Sequence, residues 1–70
     1  MTQITHFFLN GQFYCTKKAI DILDLLNYFN YNDSLLVVEY NNCICNKKDW
    51  SQILIQDQDR IEIVTIVGGG

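Results

Sequence analysis

The last three residues, Gly68, Gly69 and Gly70, have the clearest potential for chemistry, and they directly follow the β-branched run 63–67. Glycine lacks a Cβ, so a glycine tail can reach through a channel too narrow for any side chain. The terminal carboxylate is ionised at neutral pH, because its reference pKa is roughly 3.3–3.7. It is a poor electrophile until another enzyme activates it, most simply as an acyl-adenylate. The alternative interpretation is a frayed chain end or a remnant of cloning.

Other residue types that could carry chemistry lack the spacing that a site needs. The three cysteines, Cys15, Cys43 and Cys45, cannot all pair within one chain, which favours free thiols in a reducing compartment. Zinc needs about four ligands, and only Cys15 and His6 could complete a set around the Cys-x-Cys pair, without recognisable ligand spacing. His6 has no nucleophile near it in sequence, so we expect a surface strand residue. We predict no metal site and no catalytic residue.

Length and composition exclude several classes of function. A chain of 70 residues suits one domain, and we expect a single unit over residues 1–70 that ends in a flexible glycine tail. So small a core leaves little room for a pocket of roughly 300 Å³, which disfavours a self-contained enzyme. A net charge of −3 with five scattered Lys and Arg residues gives no electrostatic footprint for nucleic acid. Neither a targeting segment nor a membrane span is visible, so we expect a cytoplasmic protein, or one of the plastid stroma if organelle-encoded.

Patterning predicts a β-hairpin, one helix and then two or three further strands, the short segment 43–45 being the third. The strands are expected over 4–9, 12–16, 35–40, 43–45 and 60–67, and Asn10-Gly11 is a strong hairpin signal between the first two. The helix shows apolar residues at i, i+3, i+4 and i+7: Ile22, Leu25, Leu26 and Phe29. Asp21 stands at its N-cap. Residues 57–59 predict a polar turn rather than a calcium loop, and Trp50 is expected to cap the core edge with its indole N–H reaching a partner or water.

This order of elements indicates an α+β protein, a mixed sheet of the β-grasp (ubiquitin-like) kind with one helix packed across it. In that fold the first and last strands are central neighbours. Alternation then buries Phe7, Leu9, Ile61 and Ile63 and turns Phe8, Glu62, Val64 and Ile66 away from the helix. An exposed patch this apolar predicts a partner-docking surface. The alternative is a register error of one residue, which would exchange the two faces.

The chain resembles the ThiS family of thiamine-pathway sulfur carriers over nearly its whole length. The matching segments are Phe7 to Gly11, Leu25-Leu26, Asn41, Trp50, Asp57 to Asp59, Ile61 to Val64, and Val67 to Gly70. Two segments depart from the family pattern. Residues 45–47 replace a frequent Val-Pro-Arg, and Gln58 replaces the glycine of a frequent Asp-Gly-Asp. Both departures concern loop geometry more than the tail.

The resemblance implies a carrier cycle in which this chain supplies no acid, base or metal. An E1-like enzyme would adenylate the Gly70 carboxylate with ATP and magnesium. Sulfur, usually from a cysteine desulfurase, would then replace one oxygen to give a thiocarboxylate, and thiazole synthase would accept that sulfur. Gly68, Gly69 and Gly70 would form the tail inserted into both active sites.

Three alternatives remain open at the level of sequence. A molybdopterin-synthase sulfur carrier shares the fold and the tail chemistry but docks on a different acceptor. A ubiquitin-like modifier would form isopeptide bonds with lysines through Gly70. A plain interaction domain would keep its binding and its pathway output after truncation of the tail.

Overall fold

In the computed structural model, which describes residues 3–31 and 35–66, one α-helix packs on a five-stranded sheet. The strands are β1 (Thr5–Leu9), β2 (Gln12–Thr16), β3 (Leu36–Tyr40), β4 (Cys43–Cys45) and β5 (Asp59–Thr65). Helix α1 spans Ile22–Tyr28, and a 3₁₀ helix spans Lys47–Gln52. The predicted strands are confirmed, the short segment 43–45 among them, and their ends coincide with the predicted ones or differ by at most two residues.

The strand order is β2-β1-β5-β3-β4, so the first and last strands lie side by side in the middle of the sheet. Strands β1 and β5 run parallel, whereas the other neighbours are antiparallel. The predicted α+β class and β-grasp arrangement are therefore confirmed. No helix in the described part of the chain is long and apolar enough to cross a membrane.

Two tight turns set the hairpins through residues that tolerate a positive φ. Asn10 and Gly11 have φ values of 50° and 81°, as a type I′ turn requires, and they join β1 to β2 in the register Leu9↔Gln12. Asn41 and Asn42, with φ values of 51° and 71°, make the same kind of turn between β3 and β4.

Local polar contacts define both ends of α1. The Asp21 side chain accepts a hydrogen bond from Asp24 N at 2.7 Å, and the Asp24 side chain accepts one from Asp21 N at 3.0 Å, which completes a capping box. At the other end Asn30 has a φ of 59°, and Tyr31 N donates to Leu26 O at 2.9 Å. This Schellman arrangement satisfies a terminal carbonyl and ends the helix.

The core lies between α1 and one face of the sheet. Its buried members are Phe7, Leu9, Ile22, Leu25, Leu26, Val38, Trp50, Ile55, Ile61 and Ile63. The predicted division of β1 and β5 into a buried and an outward face is confirmed.

Two predictions about single side chains were wrong. Trp50 lies inside the core at 2% exposure, and none of the described residues accepts a hydrogen bond from its Nε1, because the 3₁₀ helix packs against α1 and turns the ring inward. The sequence pattern placed Asp59 in a polar turn, but that turn comprises Asp57 and Gln58, and Asp59 is the buried first residue of β5. Pairing of Asp59 with Phe7 starts β5 one residue earlier than the sequence pattern indicated.

Candidate functional site

The predicted tail, Gly68, Gly69 and Gly70, lies outside the residues that the structure describes. Strand β5 leads toward it from the centre of the sheet. The last described residue, Ile66, donates its N–H to Leu35 O at 2.8 Å. The chain is thus still held against β3 four residues before its end.

The surface next to this exit is the side of the sheet opposite α1, called the outer face here. It comprises His6, Phe8, Phe13, Cys15, Val37, Glu39, Ile44, Arg60, Glu62, Val64 and Ile66. All four predicted docking residues belong to it, because the alternation of side chains along β1 and β5 places them on the same side of the sheet. Their docking role stays a prediction.

The outer face has two apolar parts. At one end Phe8 is partly buried, with the Phe13 ring 5.1 Å away and the Arg60 guanidinium 5.0 Å from its ring centroid. At the other end Val64 and Ile66 are 53% and 50% exposed, and Val37 lies directly opposite Val64. Binding of a partner over these side chains is favourable, because it removes their exposed apolar surface from water.

Two carboxylates separate the apolar parts. Glu39 and Glu62 are directly opposite each other on β3 and β5. Like charges at opposed positions of a sheet destabilise it, so the fold retains a small electrostatic cost here. A basic group on a partner would relieve that repulsion.

The outer face contains residues that sequence reasoning missed. Phe13 (57% exposed), Ile44 (71% exposed), Val37 and Glu39 join it through β2, β3 and β4. Alternation within those strands was a usable signal, but it needed the cross-strand register, which places Phe13 opposite Phe8 and Ile44 opposite Glu39.

A partly buried polar cluster around the buried Asp59 side chain anchors the opposite end of β5. The Asp59 carboxylate accepts hydrogen bonds from the Tyr40 hydroxyl, from Asn41 Nδ2 at 3.0 Å and from Gln56 N at 2.7 Å. Asn41 Oδ1 also accepts from Arg60 N at 2.8 Å. Burial, followed by the hydrogen bond and the charge of Asp59, raises the pKa of Tyr40 far above its ordinary value, so this hydroxyl stays protonated. The cluster is structural, because its polar groups are occupied by one another.

Sequence reasoning left His6 without a nucleophile, and the structure places Cys15 opposite it on β2. Asp57 Oδ1 lies 3.3 Å from His6 Nδ1 and accepts a hydrogen bond from His6 N at 2.7 Å. The hydrogen bond donated by His6 N is the largest cause of the lowered pKa of Asp57. No hydrogen bond joins Cys15 to His6 within the described residues, and the imidazole stacks on Phe13 at 5.3 Å. The three groups therefore do not form a relay.

The remaining thiols offer little chemistry. Cys43 is exposed, Cys45 is partly buried, and burial raises the pKa of the Cys45 thiol. Across residues 3–31 and 35–66, no group of three or more His, Cys, Asp or Glu side chains could hold a metal ion.

A groove of about 620 Å³ opens between β2 and α1. Its lining includes the apolar and aromatic side chains of Phe7, Tyr14, Leu25 and Phe29 together with Lys17 and Lys18. The sequence predicted little room for a pocket inside the core, and this surface groove does not test that prediction. The groove lies on the surface between an edge strand and the helix, so it does not hollow out the core. Its lining also includes the side chains of Cys15 and Asp24.

The sequence of residues 7–70 matches the profile of the ThiS family. The chain belongs to the ThiS family. Membership makes it a ThiS-family sulfur carrier, a class whose members are carrier proteins and not catalysts themselves.

Individual relatives agree with this membership. An uncharacterised protein named ycf40 from Trieres chinensis is 66% identical over 64 residues, which cover 91% of this chain and 88% of the relative. The sulfur carrier protein ThiS of Bacillus subtilis (strain 168) is 38% identical over 63 residues, which cover 89% of this chain and 96% of that protein. A crystal structure of the thiamine biosynthesis protein ThiS from Geobacter metallireducens superimposes with a TM-score of 0.79, covering 94% of this chain and all of that one. Its identity of 19% makes it evidence for the fold alone.

The family pattern also explains one backbone feature. Gln58 stands where the ThiS pattern often has glycine, and its φ is 71°. This region of φ favours glycine, because a Cβ is disfavoured there. Gln58 therefore carries some backbone strain in this turn.

Proposed function

We propose that this chain is the sulfur carrier of thiazole formation in thiamine biosynthesis, and that Gly70 carries the sulfur. The observation that carries the proposal is that the ThiS-family match extends to the last residue, Gly70, and so includes the whole glycine tail. The similarity to Bacillus subtilis ThiS supports the same carrier role. In this role the chain is a co-substrate of other enzymes.

The proposed chemistry takes place on the terminal carboxylate. A carboxylate oxygen attacks the α-phosphorus of ATP, pyrophosphate leaves, and an acyl-adenylate remains. A persulfide sulfur then attacks the acyl carbon and displaces AMP, which gives an acyl disulfide. A thiol cleaves that disulfide, so that the carrier retains one sulfur as a thiocarboxylate and the two other sulfurs form a new disulfide. Transfer of the sulfur to thiazole synthase completes the cycle.

The catalytic groups for these steps belong to partners. The E1-like adenylating enzyme would hold ATP and magnesium, and a cysteine desulfurase would supply the persulfide. An outer face with exposed apolar side chains and a side-chain-free tail suit a protein that presents its end to several enzymes in turn. We propose that this happens in the cytoplasm, or in the plastid stroma if the gene is organellar.

The outer face is the proposed docking surface. Val64 lies on β5 and Ile66 directly follows its last residue. Phe8 lies opposite Arg60, four positions back along β5 from Val64. At roughly 3.3 Å per residue this spacing is about 13 Å. A partner that covers both apolar parts would also cover Glu62, where a basic side chain would relieve the repulsion between Glu39 and Glu62.

Intact-mass spectrometry tests the function directly. The chain is incubated with the thiamine-pathway adenylating enzyme of Bacillus subtilis, a cysteine desulfurase, ATP and cysteine, and Bacillus subtilis ThiS serves as the positive control. We expect a mass shift for exchange of one oxygen for sulfur, localised to the C-terminal peptide and dependent on ATP. The matched control is the variant that lacks Gly70, which should remain unmodified.

No shift in this chain, in a reaction that modifies Bacillus subtilis ThiS, would contradict the thiamine assignment. The molybdopterin carrier would then be tested with its own adenylating enzyme. Higher-mass conjugates that disappear with Gly70 would instead indicate a protein modifier.

A further inference from the structure

Successive residues of β5 direct their main-chain hydrogen-bonding groups alternately toward its two neighbouring strands, β3 and β1. Asn41 N donates to Arg60 O at 2.8 Å, and Ile66 N donates to Leu35 O at 2.8 Å. In an antiparallel ladder, hydrogen-bonded pairs alternate with non-hydrogen-bonded pairs. The continuous β3–β5 register therefore assigns the main-chain groups of the even residues 60–66 to β3. Those of the odd residues 61–65 point to the other side, toward β1.

Strand β1 does not reach the end of β5. Its register ends at Leu9↔Ile61, and Asn10 N donates to Ile61 O at 2.9 Å. Asn10 then turns the chain away into β2, and its side-chain Oδ1 accepts the hydrogen bond from Ile63 N at 2.8 Å. This amide oxygen takes the place of the next main-chain carbonyl that a longer β1 would have supplied.

Beyond Asn10 the β1 side of β5 is an open edge. The C=O of Ile63 and both the N–H and the C=O of Thr65 point toward it, and no hydrogen bond to them is found within the described residues. The main-chain N–H and C=O groups of Val64 and Ile66 point toward β3, and their side chains lie on the outer face. A row of unpaired main-chain groups at an edge is a template for another strand.

We propose that an extended segment of the adenylating enzyme pairs with this open edge of β5 through Ile63 and Thr65. The inference rests on the proposed function, in which that enzyme must hold the chain just before its tail. Gly70 lies five residues after Thr65, a span of about 18 Å at most for an extended chain. Strand pairing at Thr65 would fix the position from which the chain runs on to Gly70 and the direction in which it leaves.

The open edge suits a partner enzyme better than a second copy of this chain. It is continuous with the outer face through Val64 and Ile66, so one partner can cover the apolar side chains and pair with the edge together. Two copies joined along this edge would occupy the main-chain groups nearest both tails. Self-association would compete with the carrier role.

Amide hydrogen exchange measured by NMR tests the pairing without any variant. In the free chain, Thr65 N–H should exchange fast, whereas Val64 and Ile66 are protected by β3. On addition of the Bacillus subtilis adenylating enzyme without ATP, we expect exchange at Thr65 to slow at least tenfold. Unchanged exchange at Thr65 in a complex that protects other residues would overturn the proposal. Protection in the free chain that disappears on dilution would overturn it in favour of self-pairing.

Two substitutions provide a functional test. Thr65→Pro removes the N–H that points to the open edge, and proline is tolerated at such edge positions because the β3 ladder does not use that N–H. Thr65→Val keeps the N–H and the side-chain shape. In ATP–pyrophosphate exchange we expect Thr65→Pro to lower kcat/KM about tenfold, the equivalent of about 1.4 kcal/mol. Thr65→Val should retain the activity of the parent chain.

The outcomes separate this inference from the function on which it rests. Equal activity of the two variants, with the parent chain adenylated, would refute strand pairing and leave the carrier function intact. A parent chain that is not adenylated beside an active Bacillus subtilis ThiS control would refute both. Protection of the Val64 and Ile66 amides in Thr65→Pro checks that the fold is retained. If that variant does not fold, the exchange measurement on the parent chain decides.

Discussion

The two ends of β5 are built in opposite ways. At its start Asp59 is 7% exposed and accepts three hydrogen bonds, and the strand has a neighbour on each side. At its end Val64 and Ile66 are about half exposed, and only β3 continues alongside. The same strand thus begins as an anchor in the fold and ends as an accessible surface.

This difference separates the part of β5 that stabilises the fold from the part whose side chains are accessible. Burial and hydrogen bonding are concentrated where β5 meets β1 and the β3–β4 turn. The exposed apolar side chains and the open edge are concentrated next to the tail. Substitutions at the start should therefore affect stability, and substitutions at the end should affect partners.

Loss of the anchor should have the largest effect. Asp59→Ala leaves the Tyr40 hydroxyl, Asn41 Nδ2 and Gln56 N, which are partly buried, without their acceptor. A fully buried donor left unsatisfied costs roughly 1–3 kcal/mol. We expect the free energy of unfolding in urea to fall by about 3 kcal/mol, since relaxation and water recover part of the sum. Asp57→Ala, which removes an exposed carboxylate two residues earlier, is the matched control. Equal losses in the two variants would refute the contrast between anchor and surface.

A charge on the exposed end should affect binding and leave stability nearly unchanged. Val64→Lys replaces a side chain that is 53% exposed, so the free energy of unfolding should change by no more than about 0.5 kcal/mol. Affinity for the adenylating enzyme, measured by calorimetry, should fall about tenfold through loss of apolar contact. Tyr28→Lys, at a site on α1 that is 79% exposed, should bind as the parent does. If both variants bind equally well, the outer face is not the docking surface.

Relief of strain in the turn before β5 should stabilise the anchor. Gln58 has a φ of 71°, a region that costs a residue with a Cβ roughly 1–2 kcal/mol and costs glycine little. Because glycine also increases the entropy of the unfolded chain, Gln58→Gly should raise the free energy of unfolding by about 0.5–1 kcal/mol. Gln58→Ala keeps the strain and should give no gain in the same urea titration. A gain in both variants would locate the effect in the lost side chain instead.

The smallest expected effect is a pH dependence at the same turn. The hydrogen bond from His6 N, then that from the Gln58 side chain, lowers the pKa of Asp57 below its reference value of 3.8. A carboxyl whose pKa is lower in the folded state stabilises the fold above its unfolded pKa, and this contribution is lost as pH falls through the folded value. Asp57→Asn should therefore lower Tm at neutral pH, and the difference from the parent should shrink below about pH 3.8. A difference in Tm that stays constant with pH would contradict this assignment.

Local chemistry predicted much of the fold because the signals involve neighbouring residues. Asn10-Gly11 predicted its turn through the positive φ that the turn needs, and Asp21 predicted the start of α1 through its side-chain hydrogen bond. Alternation in β1 and β5 predicted the buried and outward faces, and hence the location of Phe8, Glu62, Val64 and Ile66. The glycine tail could be identified from sequence because its chemistry depends on position at the chain end.

The remainder depended on pairings between residues far apart in sequence. Trp50 was placed at the core edge because its own segment does not show which side the 3₁₀ helix presents to α1. Asp59 was assigned to a polar turn because its hydrogen-bond donors Tyr40 and Asn41, at the end of β3 and in the turn after it, are far away in sequence. A single carboxylate in a polar segment gives no local sign that it is buried.

By itself the sequence determined the kinds of elements, their order, the core faces of β1 and β5 and a terminus without side chains, since each follows from periodicity, from turn chemistry or from position. Only the tertiary structure decided that Glu39 stands opposite Glu62, that Asn10 ends the ladder at Ile63, and that Thr65 is left on an open edge. Those features follow from the register and relative length of three strands. That register is set by how the whole core packs, and no short stretch of sequence encodes it.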